Sequence, residues 1–179
     1  MITQLLDFTR ARGGVEIPLE RGPADLFAIC RDVVEELRAS YPGRTLDVAY
    51  TGSGDGAWDA DRMAQVFSNL VGNALHYGRE DRPVRVTLGR EEDWIRCTVQ
   101  SHGDVIPDSV MATLFDPFRR GPTHRKSIAT QGLGLGLYIT KQIIVAHGGD
   151  IAVSSNSDEG TIFRFDLPLH GMGRTRDHR

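Results

Sequence analysis

The feature that most constrains this chain is a hydrophobic period that switches repeatedly between helix and strand. Leu26, Ile29/Cys30, Val33/Val34 and Leu37 recur at helical spacing up to Tyr41-Pro42-Gly43, and Pro23 predicts the first turn of that helix. A short strand is predicted before it, over 15–21, and Leu46, Val48 and Tyr50 then alternate as a strand over 45–51. A further strand is expected around Ala57-Trp58, beyond the turn-rich 52–56. Over 60–78, Met63, Val66/Phe67, Leu70 and Ala74 return to helical spacing. Val84/Val86/Leu88 and Ile95/Cys97/Val99 are two alternating runs whose period carries Ser101 inward at the end of the second. Pro107-Asp108-Ser109 predicts a short helix, and residues 119–131 follow neither period. A last helix stops at Gly148-Gly149, and Ile151/Val153 against Phe163/Phe165/Leu167 predict a closing hairpin. This order of elements predicts a mixed sheet with three helices on one face.

Of the 179 residues, 40% are hydrophobic and 25% charged, enough to bury a core without disulfides or metals. The net charge of −3 supplies no basic field for nucleic acid, so none is expected as a partner. No run approaches the roughly 20 apolar residues a bilayer crossing needs, so no membrane contact is expected of this domain. Cys30 and Cys97 sit inside apolar patterns and read as reduced core thiols of a cytoplasmic protein. His76, His102, His124, His147, His170 and His178 are scattered without metal-ligand spacing. Residues 1–14 read as the end of an amphipathic helix too short to be stable alone, 15–170 as one domain, and 171–179 as a disordered tail.

Three features could carry chemistry. Gly132, Gly134 and Gly136 alternate with Leu133, Leu135 and Leu137 and open a helix, which bares backbone N–H groups to an anion or serves as a flexible entry to a packed helix. A dinucleotide fingerprint is the obvious competitor but fits poorly, because it requires a strand immediately before the glycines and the sequence of 122–131 does not read as one. Asn69 and Asn73 fall on one edge of the buried stripe of their helix, with His76 just behind. Such asparagines ordinarily satisfy nearby backbone groups, but an amide oxygen is also a hard ligand of the kind Mg²⁺ accepts. Arg119, Arg120, Arg125 and Lys126 form either a solvated run or, beside an anion site, a source of phosphate neutralisation.

The chain reads N-L-V-G-N-A-L-H-Y at 69–77, S-H-G-D-V-I-P at 101–107, L-F-D-P-F-R-R-G at 114–121, G-L-G-L-G-L at 132–137 and G-T-I-F at 160–163. In order and spacing this resembles the N, G1, F, G2 and terminal Gly-Thr signatures of the ATP-binding catalytic domain of sensor histidine kinases. The resemblance covers about residues 15–168. It implies an α+β fold of the Bergerat type, a two-layer α/β sandwich, with ATP and Mg²⁺ as cofactors. By that likeness Asn73 holds the metal, Asn69 supports the metal or phosphates, and His76 occupies a phosphate-contact position. Tyr77 would pack near the sugar, and Gly132 to Leu137 would present backbone N–H groups to the phosphates. Ser101, Gly103, Ile106 and Thr161 would line the adenine, while Phe115, Phe118, Arg119 and Arg120 would belong to a lid.

Gyrase-type relatives carry a Glu where this chain has Asn69, and an amide has no basicity to activate water. ATP would be held for transfer to a histidine on another helix. The family prefers Asp where Ser101 stands, and Val105 replaces a glycine. Loss of that charged contact is expected to weaken adenine binding by about 1.5–3 kcal/mol. Two readings stay open, a histidine kinase domain and a degenerate domain serving regulation or protein contact. A stand-alone serine kinase of the same superfamily fits less well with the helix end at 1–12. None of the six histidines is followed by an acid, so the phosphoacceptor is expected outside this chain. The implied partners are a dimerisation and phosphoacceptor domain and a response regulator receiver. The isolated domain is expected to be a monomer and the full-length protein a homodimer.

Overall fold

The computed structural model describes residues 17–118 and 134–169. Its elements are β1 (Gly22–Asp25), α1 (Leu26–Ser40), β2 (Leu46–Thr51), β3 (Asp55–Trp58), α2 (Ala60–Tyr77), β4 (Val84–Glu91), β5 (Trp94–Ser101), α3 (Asp108–Met111), α4 (Gly136–Ala146), β6 (Asp150–Asn156) and β7 (Gly160–Pro168). The helix end expected over 1–14, the lid residues Arg119 and Arg120, Gly132 and Leu133, and the tail at 171–179 lie outside the described residues. Among the described residues, no helix is long and apolar enough to cross a membrane.

Five strands form one sheet in the order β2-β4-β5-β7-β6, and β1 and β3 make a separate two-stranded ribbon. The β2–β4 pair is parallel and the other pairs of the large sheet are antiparallel, so the sheet is mixed as expected. Alternation puts Val84, Val86, Leu88, Ile95, Cys97 and Val99 in the core and leaves Arg85 and Thr87 exposed. The helices α1, α2 and α4 cover that inner face, with α2 packed between the other two. Phe67 of α2 meets Phe165 of β7 at a ring-centroid distance of 6.0 Å, which fixes the central helix against the sheet.

Two local expectations are corrected. Pro23 does not open α1 but sits in β1 opposite Ala57, where a two-stranded ribbon tolerates a residue without an N–H. The helix starts three residues later because the Asp25 side chain accepts the Phe27 N–H at 2.8 Å and caps it. Residues 17–21, expected within a strand, have no ladder partner. They are fixed instead by side chains: Glu20 N–H donates to Asp59 Oδ2 at 2.8 Å, and Arg21 donates to the Ala146 carbonyl. Asp59 also caps α2 through the Arg62 N–H, so one buried carboxylate joins the entering chain to the central helix.

Candidate functional site

The inner edge of α2 carries Asn69 and Asn73, one turn apart and both half-buried. The flank is apolar: Val66, Phe67, Leu70, Val71 and Ala74 are buried, so the helix cannot rotate these amides away. Asn69 Nδ2 donates to the Gly136 carbonyl and to Thr140 Oγ1, each at 3.3 Å, tying α2 to the first turn of α4. Asn73 makes no side-chain hydrogen bond to any described residue. Its amide is thus the uncommitted member of the pair.

The N-terminus of α4 has no side-chain cap and no acidic residue in its first turn. Ile139 N–H is the first to close onto Leu135 O, which leaves the N–H groups of Gly136 and Leu137, at the very start of the helix, without intrahelical acceptors. Leu135 is fully buried and pins this end of the helix, while Gly134 precedes it at φ +71°, a conformation that favours glycine. The Gly134 carbonyl accepts the Phe118 N–H at 3.0 Å, so the segment after α3 is stitched to the glycine run. Phe115 packs edge-on against Phe163 at 6.4 Å, whereas the Phe118 ring is exposed.

At the C-terminal end of α2, Gly78 and Gly103 form an isolated bridge that draws the helix exit onto the end of β5. A Cβ on Gly103 would stand 2.5 Å from the Tyr77 carbonyl, so the approach requires glycine. Ser101 is buried as expected and lies opposite Thr161 on β7, and its hydroxyl has no hydrogen-bond partner among the described residues. Thr161 Oγ1 pairs with Ser155 Oγ at 2.9 Å, and Ser155 Oγ accepts the Ile106 N–H at 3.0 Å. His76 is half-buried with its ring edge-on to the exposed Tyr77 at 4.7 Å.

Asn69, Gly134, Leu135 and Gly136 therefore meet midway along α2, and Ser101, Gly103, Ile106 and Thr161 gather at its C-terminal exit. Gly78, which caps the helix, stands nine residues beyond Asn69, about 13 Å along the helix axis. Thr140 and Ser155 belong to the site although sequence reading did not single them out. Thr140 lies one turn beyond Gly136, a periodic signal, but Ser155 is found only through the β6–β7 register. Burial raises the thiol pKa values of Cys30 and Cys97 and lowers that of His147, and these groups sit in α1, mid-β5 and beyond the far end of α4, away from the asparagines. What α2 and α4 offer is an uncommitted amide oxygen beside open N–H donors, a set suited to a phosphate chain and a hard cation.

Residues 58–171 match the family model described as histidine kinase-, DNA gyrase B-, and HSP90-like ATPase. The bacteriophytochrome of Pseudomonas aeruginosa is 34% identical over 169 residues, covering 94% of this chain and 23% of that protein. Sensor protein VanSC of Enterococcus gallinarum is 42% identical over 110 residues, covering 62% of this chain and 30% of that one. This chain thus spans less than a third of either relative. Among solved structures, the catalytic domain of histidine kinase ThkA superposes with a TM-score of 0.70 at 29% identity, covering 84% of this chain and 97% of that one. The chain belongs to the histidine kinase-, DNA gyrase B- and HSP90-like ATPase family, as a nucleotide-binding domain of the sensor histidine kinase kind.

Proposed function

We propose that this domain binds Mg·ATP along the inner edge of α2 and delivers its γ-phosphoryl group to a histidine outside the chain. The observation that carries the reading is the half-buried Asn73 amide, which has no side-chain hydrogen bond among the described residues, one turn from Asn69 and its tie to the uncapped start of α4. Asn73 would hold the Mg²⁺, whose contribution when bound is to neutralise phosphate charge. Asn69 keeps the first turn of α4 against α2, so that the N–H groups of Gly136 and Leu137 would face the phosphates without reorganising. His76, Tyr77, Gly103, Ile106 and Thr161 would line the rest of the nucleotide, and Gly132, Leu133, Arg119 and Arg120 are assigned to phosphate contacts by sequence resemblance.

The only acid in α2 is Asp61, in its first turn. Asn69 occupies the edge where a carboxylate would activate water, and both of its N–H groups are spent on α4. The bound nucleotide is therefore protected from hydrolysis, and transfer rests on positioning and charge neutralisation. The acceptor would come from a dimerisation and phosphoacceptor domain, and the phosphoryl group would pass on to a response regulator receiver.

Calorimetric titration of ATP with and without Mg²⁺, followed by radiolabel transfer to separately expressed phosphoacceptor helices, tests the proposal. Mg-dependent binding with label on histidine supports it, and absence of nucleotide binding overturns it. Binding without transfer would favour a second reading, a regulatory nucleotide-sensing or protein-contact module, for which the neutral Ser101 at the base end is the supporting observation.

A further inference from the structure

Three hydroxyl side chains stand in a row across the end of the large sheet. Ser101 on β5 is opposite Thr161 on β7, and Thr161 is opposite Ser155 on β6. Directly opposed residues of antiparallel strands share a face, and Ser101 is buried on the inner one, so all three point toward the helices. The row lies beside Gly78 and Gly103, at the end of the site away from Asn69 and the start of α4. Asp104, Asp158 and Glu159, the acids closest to the row along the sequence, are exposed.

A hydroxyl offers one hydrogen and two lone pairs, and rotation about its C–O bond decides which a ligand meets. Ser155 Oγ has one lone pair occupied by the Ile106 N–H. Its contact with Thr161 Oγ1 can run in either direction. With Ser155 donating, the Thr161 hydrogen is free; with Thr161 donating, its lone pairs are free. Ser101 Oγ has no hydrogen-bond partner among the described residues to fix it. A carboxylate here would accept only, and would set an oxygen against an oxygen when offered a carbonyl edge.

We propose that the Ser101–Thr161–Ser155 row reads the base edge of the nucleotide without fixing its hydrogen-bond polarity, so that the site takes 6-oxo purine nucleotides as well as 6-amino ones. The inference rests on the nucleotide-binding reading above and adds the base specificity of the same site. Ser101 and Thr161 are its specificity-determining residues, and Ser155 acts through Thr161 as a positioning residue.

The test is calorimetric titration of ATP and inosine triphosphate, which differ at the purine 6-position, into this domain and its Ser101→Asp and Ser101→Ala variants, with circular dichroism to confirm folding. For the unaltered domain the two affinities are expected to lie within about tenfold of each other. Ser101→Asp is expected to shift the ratio toward ATP by about tenfold or more, and Ser101→Ala to weaken both nucleotides while leaving the ratio nearly unchanged. A preference for ATP of about a hundredfold or more in the unaltered domain overturns the proposal. So does a folded Ser101→Asp protein with an unshifted ratio; should that variant not fold, a ratio that Ser101→Ala moves about tenfold has the same force. Binding of neither nucleotide overturns the nucleotide-binding reading itself, an outcome distinct from tight binding of ATP alone.

Discussion

Asn69 and Gly136, 67 positions apart in the chain, are joined by a 3.3 Å hydrogen bond from the Asn69 amide nitrogen to the Gly136 carbonyl oxygen. The second hydrogen of the same nitrogen goes to Thr140 Oγ1, so the amide is held in one orientation. Its oxygen is thereby placed 3.4 Å from where a Cβ on Gly136 would stand. One side chain of the central helix thus fixes both the position and the side-chain tolerance of the turn that begins α4.

Thr140 tests that coupling. Thr140→Val keeps the shape of a fully buried side chain but removes the acceptor, and is expected to cost about 1 kcal/mol of stability in urea unfolding. Thr140→Ser retains the hydroxyl and is expected to preserve ATP affinity that Thr140→Val weakens. Equal affinities for the two variants would show that the Asn69 orientation does not matter to the nucleotide.

Asn73 should behave in the opposite way. Because its amide has no partner among the described residues, Asn73→Ala is expected to change unfolding free energy by no more than about 0.5 kcal/mol. Mg-dependent ATP binding should disappear. A folded Asn73→Ala protein that retained metal-dependent affinity would remove Asn73 from the metal site.

Gly160 opens β7 at φ +75°, and a Cβ there would stand 2.3 Å from the Ser101 carbonyl oxygen. Gly160→Ala is therefore expected to destabilise the domain by about 1–3 kcal/mol and to disturb the Ser101–Thr161 pairing. Thermal unfolding of this variant beside Gly22→Ala, where a Cβ meets nothing within 4 Å, separates this local clash from a general glycine effect.

His147 predicts a pH dependence. Its Nε2 accepts the Asp59 N–H at 3.2 Å, so Nδ1 carries the proton and donates to the Ile143 carbonyl at 2.8 Å. Burial, with a smaller contribution from the positive charge of Arg21, holds its pKa below the ordinary 6.5, against weaker opposing effects of the Ile143 carbonyl and Asp59. A histidine depressed in the folded state takes up its proton more readily unfolded. Its contribution to stability is complete above pH about 6.5 and is lost as pH falls below that value. Urea midpoints at successive pH values should drop on the acid side, and His147→Gln, which cannot titrate, should flatten that limb.

The amino-acid sequence by itself determined the elements and the faces they bury. The stripe of α2, the inward Ser101, the hairpin turns and the edge shared by Asn69 and Asn73 all follow from periods repeated within a few residues, where backbone geometry alone decides which side chains coincide. The five ordered segments also carried the family, because their chemistry is read along the chain. What only the tertiary structure decided are the contacts between distant positions. These include Asn69 with Gly136 and Thr140, Ser155 with Thr161 and Ile106, and the hold of Asp59 and Ala146 on residues 20 and 21. Pro23 shows the same boundary from the other side: local preference favoured a helix start, and pairing with Ala57 together with the Asp25 cap overrode it. The physical reason is range. Periodicity is enforced by steric and solvent forces acting over one or two turns, whereas the polarity of a hydroxyl row or the partner of an amide depends on strand register and helix docking across tens of residues.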